Sequence, residues 1–174
     1  MPEGKESKLS APENNHPVLA YRLVKERFID APLSTEGARR YGGRWNPPGV
    51  GILYTSASPE LALLEQLVHL PALPFEDLPQ LFLITLSLPD LPKPLPELPP
   101  QWREYANYEA NHQLLAGWLE KPDVLALQVP SAVLTESYNY LLHPEHPTYT
   151  QIKVVKIAAF NIDPRLWRGK TSNI

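Results

Sequence analysis

The chain contains no cysteine. That excludes a disulfide framework and every thiolate metal site, cysteine zinc fingers among them, and fits a reducing compartment. Excess positive charge is missing as well. Its 16 Lys and Arg stand against 19 Asp and Glu, a net charge of -3, so no basic field gathers nucleic acid or anionic lipid. No run approaches the roughly eighteen apolar residues of a membrane helix, and the opening MPEGKESKLSAPENNHP lacks the apolar core of a secretion signal. The expectation is a cytoplasmic protein with neither membrane nor direct nucleic-acid contact. Glycine is scarce too, at 8 residues against 21 prolines. Proline fixes φ and removes a backbone donor, so it breaks the chain into short elements.

What is present fits one domain: 174 residues, 43% of them hydrophobic, can bury a substantial core. Residues 1–17 carry little to bury and read as a flexible polar leader, with the domain expected over 18–174. PVLAYRLV reads as a strand with apolar groups on both faces and Arg22 as the exception. STEGARRYGGRWNPPGVG is interrupted by glycines and a Pro-Pro pair too often for a regular element and reads as an ordered loop. ILYTS is a strand, and Ser58-Pro59-Glu60 signals a helix from Pro59 to about Leu70. QLFLITLSL is strand-like. The PDLPKPLPELPP that follows reads as a polyproline-like crossover, neither helix nor strand. A helix is expected within Tyr105–Lys121, strands at VLALQVP and IKVVKIAAFNI, and a strand, turn and broken loop across SAVLTESYNYLLHPEHPTY. Irregular interleaving with short connections points to an α+β fold rather than a doubly wound sheet.

Glu65 is the residue that does not fit its own helix. Leu61, Leu64 and Val68 mark an apolar stripe at i, i+3 and i+7, and Glu65 takes the i+4 place among them. An unpaired buried charge costs several kcal/mol or more. Glu65 is therefore in a structural ion pair, with Arg22 or Arg44, or it is a functional acid facing a cavity; the wheel also allows the edge of the stripe. Arg22 poses the same choice from a strand, since a guanidinium suits carboxylate or phosphate. Arg44 follows Gly42-Gly43, where backbone can approach a ligand. Trp45 and Tyr54 are core aromatics or ligand platforms. Ser131, at a strand end, can cap, turn or orient a carboxylate. His143 and His146 are three apart between prolines and read as a loop rather than a metal site.

Together YRLV, GGRWNPPGVGILYTS, ASPELALLE, VPSAV, YNYLLHPEHP and FNIDPRLWR resemble the RES domain, named for its Arg, Glu and Ser, the toxin half of bacterial Xre-RES toxin–antitoxin pairs. The likeness runs from Val18 to Arg168. It implies a single-domain, ADP-ribosyltransferase-like mixed β-sheet core with flanking helices. It also implies consumption of NAD, by hydrolysis or phosphorolysis of the nicotinamide–ribose bond or, in a few members, by ADP-ribosylation of a protein. Carried over by motif, Arg22, Glu65 and Ser131 are the family Arg, Glu and Ser. Tyr54 joins Glu65 and Arg22 in catalysis, while Arg44, Ser131, Tyr21, Trp45 and Asn139 contact substrate. NAD would be the substrate, with no separate cofactor and no metal. An Xre-type helix-turn-helix antitoxin would be the partner, and a homodimer stays open. The alternative from another class is a binding module in which a buried Arg–Glu pair is structural.

Overall fold

The computed structural model describes residues 17–105 and 107–167. Of the expected leader only Pro17 falls among them; 1–16, and 168–174 at the other end, lie outside the described residues. In chain order the elements are β1 (Val18–Lys25), α1 (Glu36–Tyr41), β2 (Leu53–Ser56), α2 (Pro59–His69), β3 (Leu81–Leu88), β4 (Lys93–Pro94), α3 (Glu109–Glu120), β5 (Ala126–Pro130), β6 (Tyr138–Leu142) and β7 (Lys153–Phe160). Four short 3-10 turns punctuate them. The strands form one seven-stranded sheet ordered β4-β5-β6-β2-β1-β3-β7. It is mixed: β4 pairs β5 in parallel and every other pairing is antiparallel. The α+β expectation is met.

Apolar residues on β1 serve both faces, as its sequence required. Ala20 and Val24 pack into a core with Leu53, Ile84, Leu86 and Leu142, whereas Leu23 and Tyr21 face a second core with Ala62, Leu63 and Leu67 of α2. A third core gathers Trp45, Ile52, Leu127, Val129 and Leu141 against Leu115, Trp118 and Leu119 of α3. β1 and β3 pair along their whole length, but β1 and β2 share only the register pair Tyr21↔Ser56. Beyond that pair the two strands part. The split opens a cleft at the centre of the sheet.

Two expectations are corrected here. The glycine-rich stretch does hold a regular element, α1, because Arg39 N donates to Thr35 O before Gly42 ends the helix at φ 68°. The proline-rich crossover is not wholly outside the sheet either: Lys93 and Pro94 add a two-residue edge strand to β5, a place where a proline's missing N–H costs nothing. α2 begins as its signals said, with Ser58 Oγ accepting from Leu61 N at 3.2 Å.

His143, next to β6, is buried at 1% exposure with its ring edge-on to Trp118. Its Nε2 donates to Leu119 O at 3.1 Å, and its Nδ1 accepts from Glu145 N at 3.2 Å. The ring is thus held neutral, and burial draws its pKa below the usual histidine value. A lowered folded-state pKa means that the unfolded chain binds the proton more readily, so stability is lost as pH falls below about 6.5. The thermal midpoint is expected to drop between pH 7 and pH 5 and to drop less in His143→Gln; equal slopes for the two proteins would contradict this.

Candidate active site

Glu65 lies at the end of the second turn of α2, and the buried side of that helix is not the one expected. Leu61 and Ala62 are buried, with Leu63 and Leu67 packed beside them, while Leu64 and Val68 are exposed. The inward stripe is rotated, because α2 rests on β1 through Ala62 and its neighbours. Glu65 therefore stands at the edge of the apolar face, on the side that borders two clefts. No ion pair holds it: those among the described residues join Arg39 to Glu36, Lys93 to Asp123 and Arg165 to Asp163. The expected structural pairing with Arg22 or Arg44 is absent, and with it the reading of a buried Arg–Glu pair.

What holds Glu65 is a pair of neutral donors. Ser131 Oγ donates to Glu65 Oε1 at 2.7 Å, and Asn139 Nδ2 donates to the same oxygen at 2.5 Å. Both donors are themselves fixed. Ser131 is fully buried just after β5, its Oγ accepting from Val133 N and Leu134 N at 3.0 and 3.1 Å. Asn139, on β6, accepts from Ser56 Oγ at 2.8 Å through its Oδ1, which sets the amide's orientation. Oε2 makes no hydrogen bond among the described residues. One oxygen is pinned and the other is free. Ser131 was expected either to orient the carboxylate or to touch substrate; its complete burial leaves the first role.

Two adjoining clefts meet at this carboxylate. The smaller, about 260 Å³, is the split between β1 and β2 and is lined by Tyr21, Arg22, Tyr54, Ser56, Glu65 and Asn139 among others. The larger, about 930 Å³, extends over the glycine loop toward Tyr105 and Tyr108. Tyr54, Glu65, His69 and Asn139 belong to both. The larger falls within the usual size of small-molecule sites and the smaller just below it.

Arg22 shares its strand face with Ala20 and Val24, opposite the face on which α2 lies, and reaches the smaller cleft through the gap between the strands. Its Nη1 donates to Pro32 O at 2.5 Å, and Tyr149 Oη donates to Leu33 O at 2.6 Å, so the two pin the loop after β1. Burial lowers the Arg22 pKa to about 10 and raises that of Tyr149 to about 12. The guanidinium has no carboxylate partner among the described residues. It is a desolvated cation with donors to spare, and an anion entering the cleft would satisfy them.

Tyr54 and Trp45 border the clefts but are also engaged elsewhere. Tyr54 Oη donates to Asn46 Oδ1 at 2.7 Å and accepts from Trp45 N at 3.1 Å, and burial pushes the phenol well above its usual range. That hydroxyl is committed to the loop and cannot serve as an acid or base; only the ring remains for the cleft. Trp45 is 3% exposed and stacks on Trp102 with ring centroids 5.9 Å apart. It packs chiefly as a core aromatic and borders the larger cleft with what remains. Arg44 lines the larger cleft, but its Nη1 donates to Trp102 O and Glu104 O at 2.9 and 3.1 Å, and its guanidinium lies 4.9 Å from the Tyr108 ring centre.

Three residues of the site went unread in the sequence. Asn46 is fully buried and reaches the carbonyls of Ala38, Pro47 and Val50; an asparagine before Pro-Pro in a glycine loop was the available signal. His69 and Arg103 line the clefts and carried no periodic or motif signal at all. Gly43 has a packing reason, since a Cβ there would stand 2.7 Å from Tyr54 Oη.

A family model described as RES domain matches residues 19–165. A protein named Toxin Res from Yersinia enterocolitica is 32% identical over 151 residues, 86% of this chain and 99% of its own length. Another Toxin Res, from Pseudomonas putida, is 38% identical over 79% of this chain and 94% of its own. A protein named Prs ADP-ribosylating toxin, from a Sphingobium species, is 33% identical over 78% and 87%. Among solved structures, the M. tuberculosis MbcT-MbcA toxin-antitoxin complex contains a chain of similar fold, with a TM-score of 0.62 at 24% identity over 88% of each chain.

Removing the Tyr54 hydroxyl would orphan the Trp45 N–H and Asn46 Oδ1 together. Tyr54→Phe is expected to cost about 1–3 kcal/mol in denaturant unfolding; an unchanged midpoint would show that the loop does not depend on this bond.

Proposed function

The chain belongs to the RES domain family, and from that premise we propose that it is the toxin of a toxin–antitoxin pair and cleaves the nicotinamide–ribose bond of NAD. The observation that carries the reading is the half-pinned carboxylate: Glu65 Oε1 is held by Ser131 and Asn139 while Oε2 is left at the meeting of two clefts.

The chemistry asks for such a group. When the bond from the ribose C1′ to the pyridinium nitrogen breaks, its electron pair neutralises the ring, so the leaving group needs no proton. The deficit falls on the ribose, which takes on oxocarbenium character as in glycoside cleavage. A fixed carboxylate oxygen beside C1′ stabilises that charge and can accept a hydrogen bond from the 2′-hydroxyl, and because its position is set beforehand no reorganisation is needed. Ser131 and Asn139 act through Glu65, as positioning residues. Arg22, desolvated and lacking a carboxylate, offers its spare donors to the phosphate on the nicotinamide side. The Tyr54 and Tyr21 rings wall the same cleft.

The acceptor that takes the ribosyl group is water or phosphate in this reading, and its lost proton passes to solvent. Transfer to a protein is the second reading, favoured by the relative named as an ADP-ribosylating toxin. An Xre-type helix-turn-helix antitoxin is the proposed partner, supported by the fold shared with a toxin crystallised with its antitoxin. The cytoplasm, where NAD is abundant, is the proposed place of action.

Purified protein with NAD should release free nicotinamide. Glu65→Gln, which can still accept from Ser131 and Asn139, should remain folded and lose about 10²–10³-fold in rate, and Ser131→Ala should lose roughly tenfold through a looser carboxylate. Undiminished release by Glu65→Gln would overturn the assignment. Labelled NAD incubated with cell lysate separates the acceptors, since a labelled protein band forms only on transfer.

A further inference from the structure

His69 is the one imidazole among the described residues that line the two clefts, and it borders both. It lies in the last turn of α2, four residues after Glu65, so the two side chains leave the same face of the helix with Cβ atoms roughly 5–6 Å apart. The ring is exposed and makes no hydrogen bond to a described residue. Two other histidines are spent: His112 Nε2 donates to Gly43 O at 2.9 Å, and His143 is buried against Trp118. His69 is kept back.

The reaction proposed above leaves one proton to move. When water supplies the oxygen that closes on C1′ it must lose a proton, and a positioned side chain with an open acceptor is the ordinary means. Few of the lining groups can take it. Arg22, Arg44 and Arg103 are cations, the Tyr54 hydroxyl is committed to Asn46 and the Trp45 amide, and Asn139 spends its amide on Glu65 and Ser56. Glu65 Oε2 could accept the proton only by giving up the charge that faces the ribose.

We propose that His69 is the general base for hydrolysis, taking the proton of the water that attacks C1′ of the ribose beside Glu65. One water lone pair forms the C1′–O bond, and the electron pair of the C1′–N bond leaves with nicotinamide. The water proton passes to an unprotonated ring nitrogen of His69 and from that exposed ring to solvent. The assignment rests on the reading of Glu65 as the carboxylate beside the reacting ribose, and it divides the work along one helical turn: Glu65 answers the charge on the ribose, His69 the proton on the nucleophile. The two are then needed by different acceptors. A phosphate dianion attacks through an oxygen that carries no proton, so phosphorolysis requires Glu65 but not His69.

The test is nicotinamide release from NAD by the full chain, by His69→Gln and His69→Ala, and by Glu65→Gln, each in phosphate-free buffer and with inorganic phosphate added. Both His69 variants are expected to lose about 10²-fold with water as the acceptor and less than tenfold with phosphate, whereas Glu65→Gln loses both reactions. The retained phosphate reaction also shows that the His69 variants are folded. Undiminished hydrolysis in both variants, an equal loss with the two acceptors, or release by the unaltered protein with phosphate alone would overturn the assignment and leave the reading of Glu65 standing. No release by the unaltered protein with either acceptor would instead overturn the reading of Glu65, and this assignment with it.

Discussion

Glu65 Oε1 accepts from Ser131 and Asn139, and through those two bonds α2 is fastened to the β5–β6 corner on the far side of β2. Each donor is braced in turn, Ser131 by two backbone amides after β5 and Asn139 by Ser56 on β2. The knot therefore fixes the helix, two strands and the turn between them in one arrangement. It also sets which carboxylate oxygen faces the clefts. A charged partner could have held the same glutamate, but an adjacent guanidinium would have spent the charge that the proposed reaction asks of it. Neutral donors orient the carboxylate without cancelling it.

The same division recurs around the site, where some polar groups are consumed by structure and others are kept back. The Tyr54 hydroxyl is wholly consumed, bridging Asn46 and the Trp45 amide so that the glycine loop keeps its shape. Arg22 and Arg44 are consumed in part, each anchoring a loop through Nη1 and holding other donors in reserve. Because β1 and β2 meet at a single register pair, Arg22 can open onto the cleft from the sheet face that α2 does not cover. That geometry keeps the cation and the carboxylate in one pocket without letting them pair.

Much of this was legible in the sequence. Short runs apolar on both faces located β1, β3 and β5, and the Ser58-Pro59 cap located the start of α2, because these signals are local in the chain. Glu65 was conspicuous for the same reason. What the wheel could not tell was how α2 sits on the sheet: propensity places residues on a helix face, but contact with Ala62 and Leu63 decides which face turns inward, and Leu64 and Val68 ended outside. The partners of Glu65 lie 66 and 74 residues further along the chain; their link to it was carried by motif resemblance alone. Trp45 and Tyr54 were open between core and cleft, and the deciding contacts, with Trp102 and Asn46, arise only on folding. α1 was hidden by its glycines. Arg103 sits in a loop with no periodicity, where the sequence offers nothing to read.

The central claim is positional: the free oxygen of Glu65 faces the ribose whose bond is broken. The most direct measurement is a crystal structure of Glu65→Gln with intact NAD bound. The side chain of residue 65 is expected within hydrogen-bond distance of the nicotinamide ribose, with Ser131 and Asn139 still on its other side. NAD bound with that ribose away from residue 65, or with its adenine end at the carboxamide, would contradict the account.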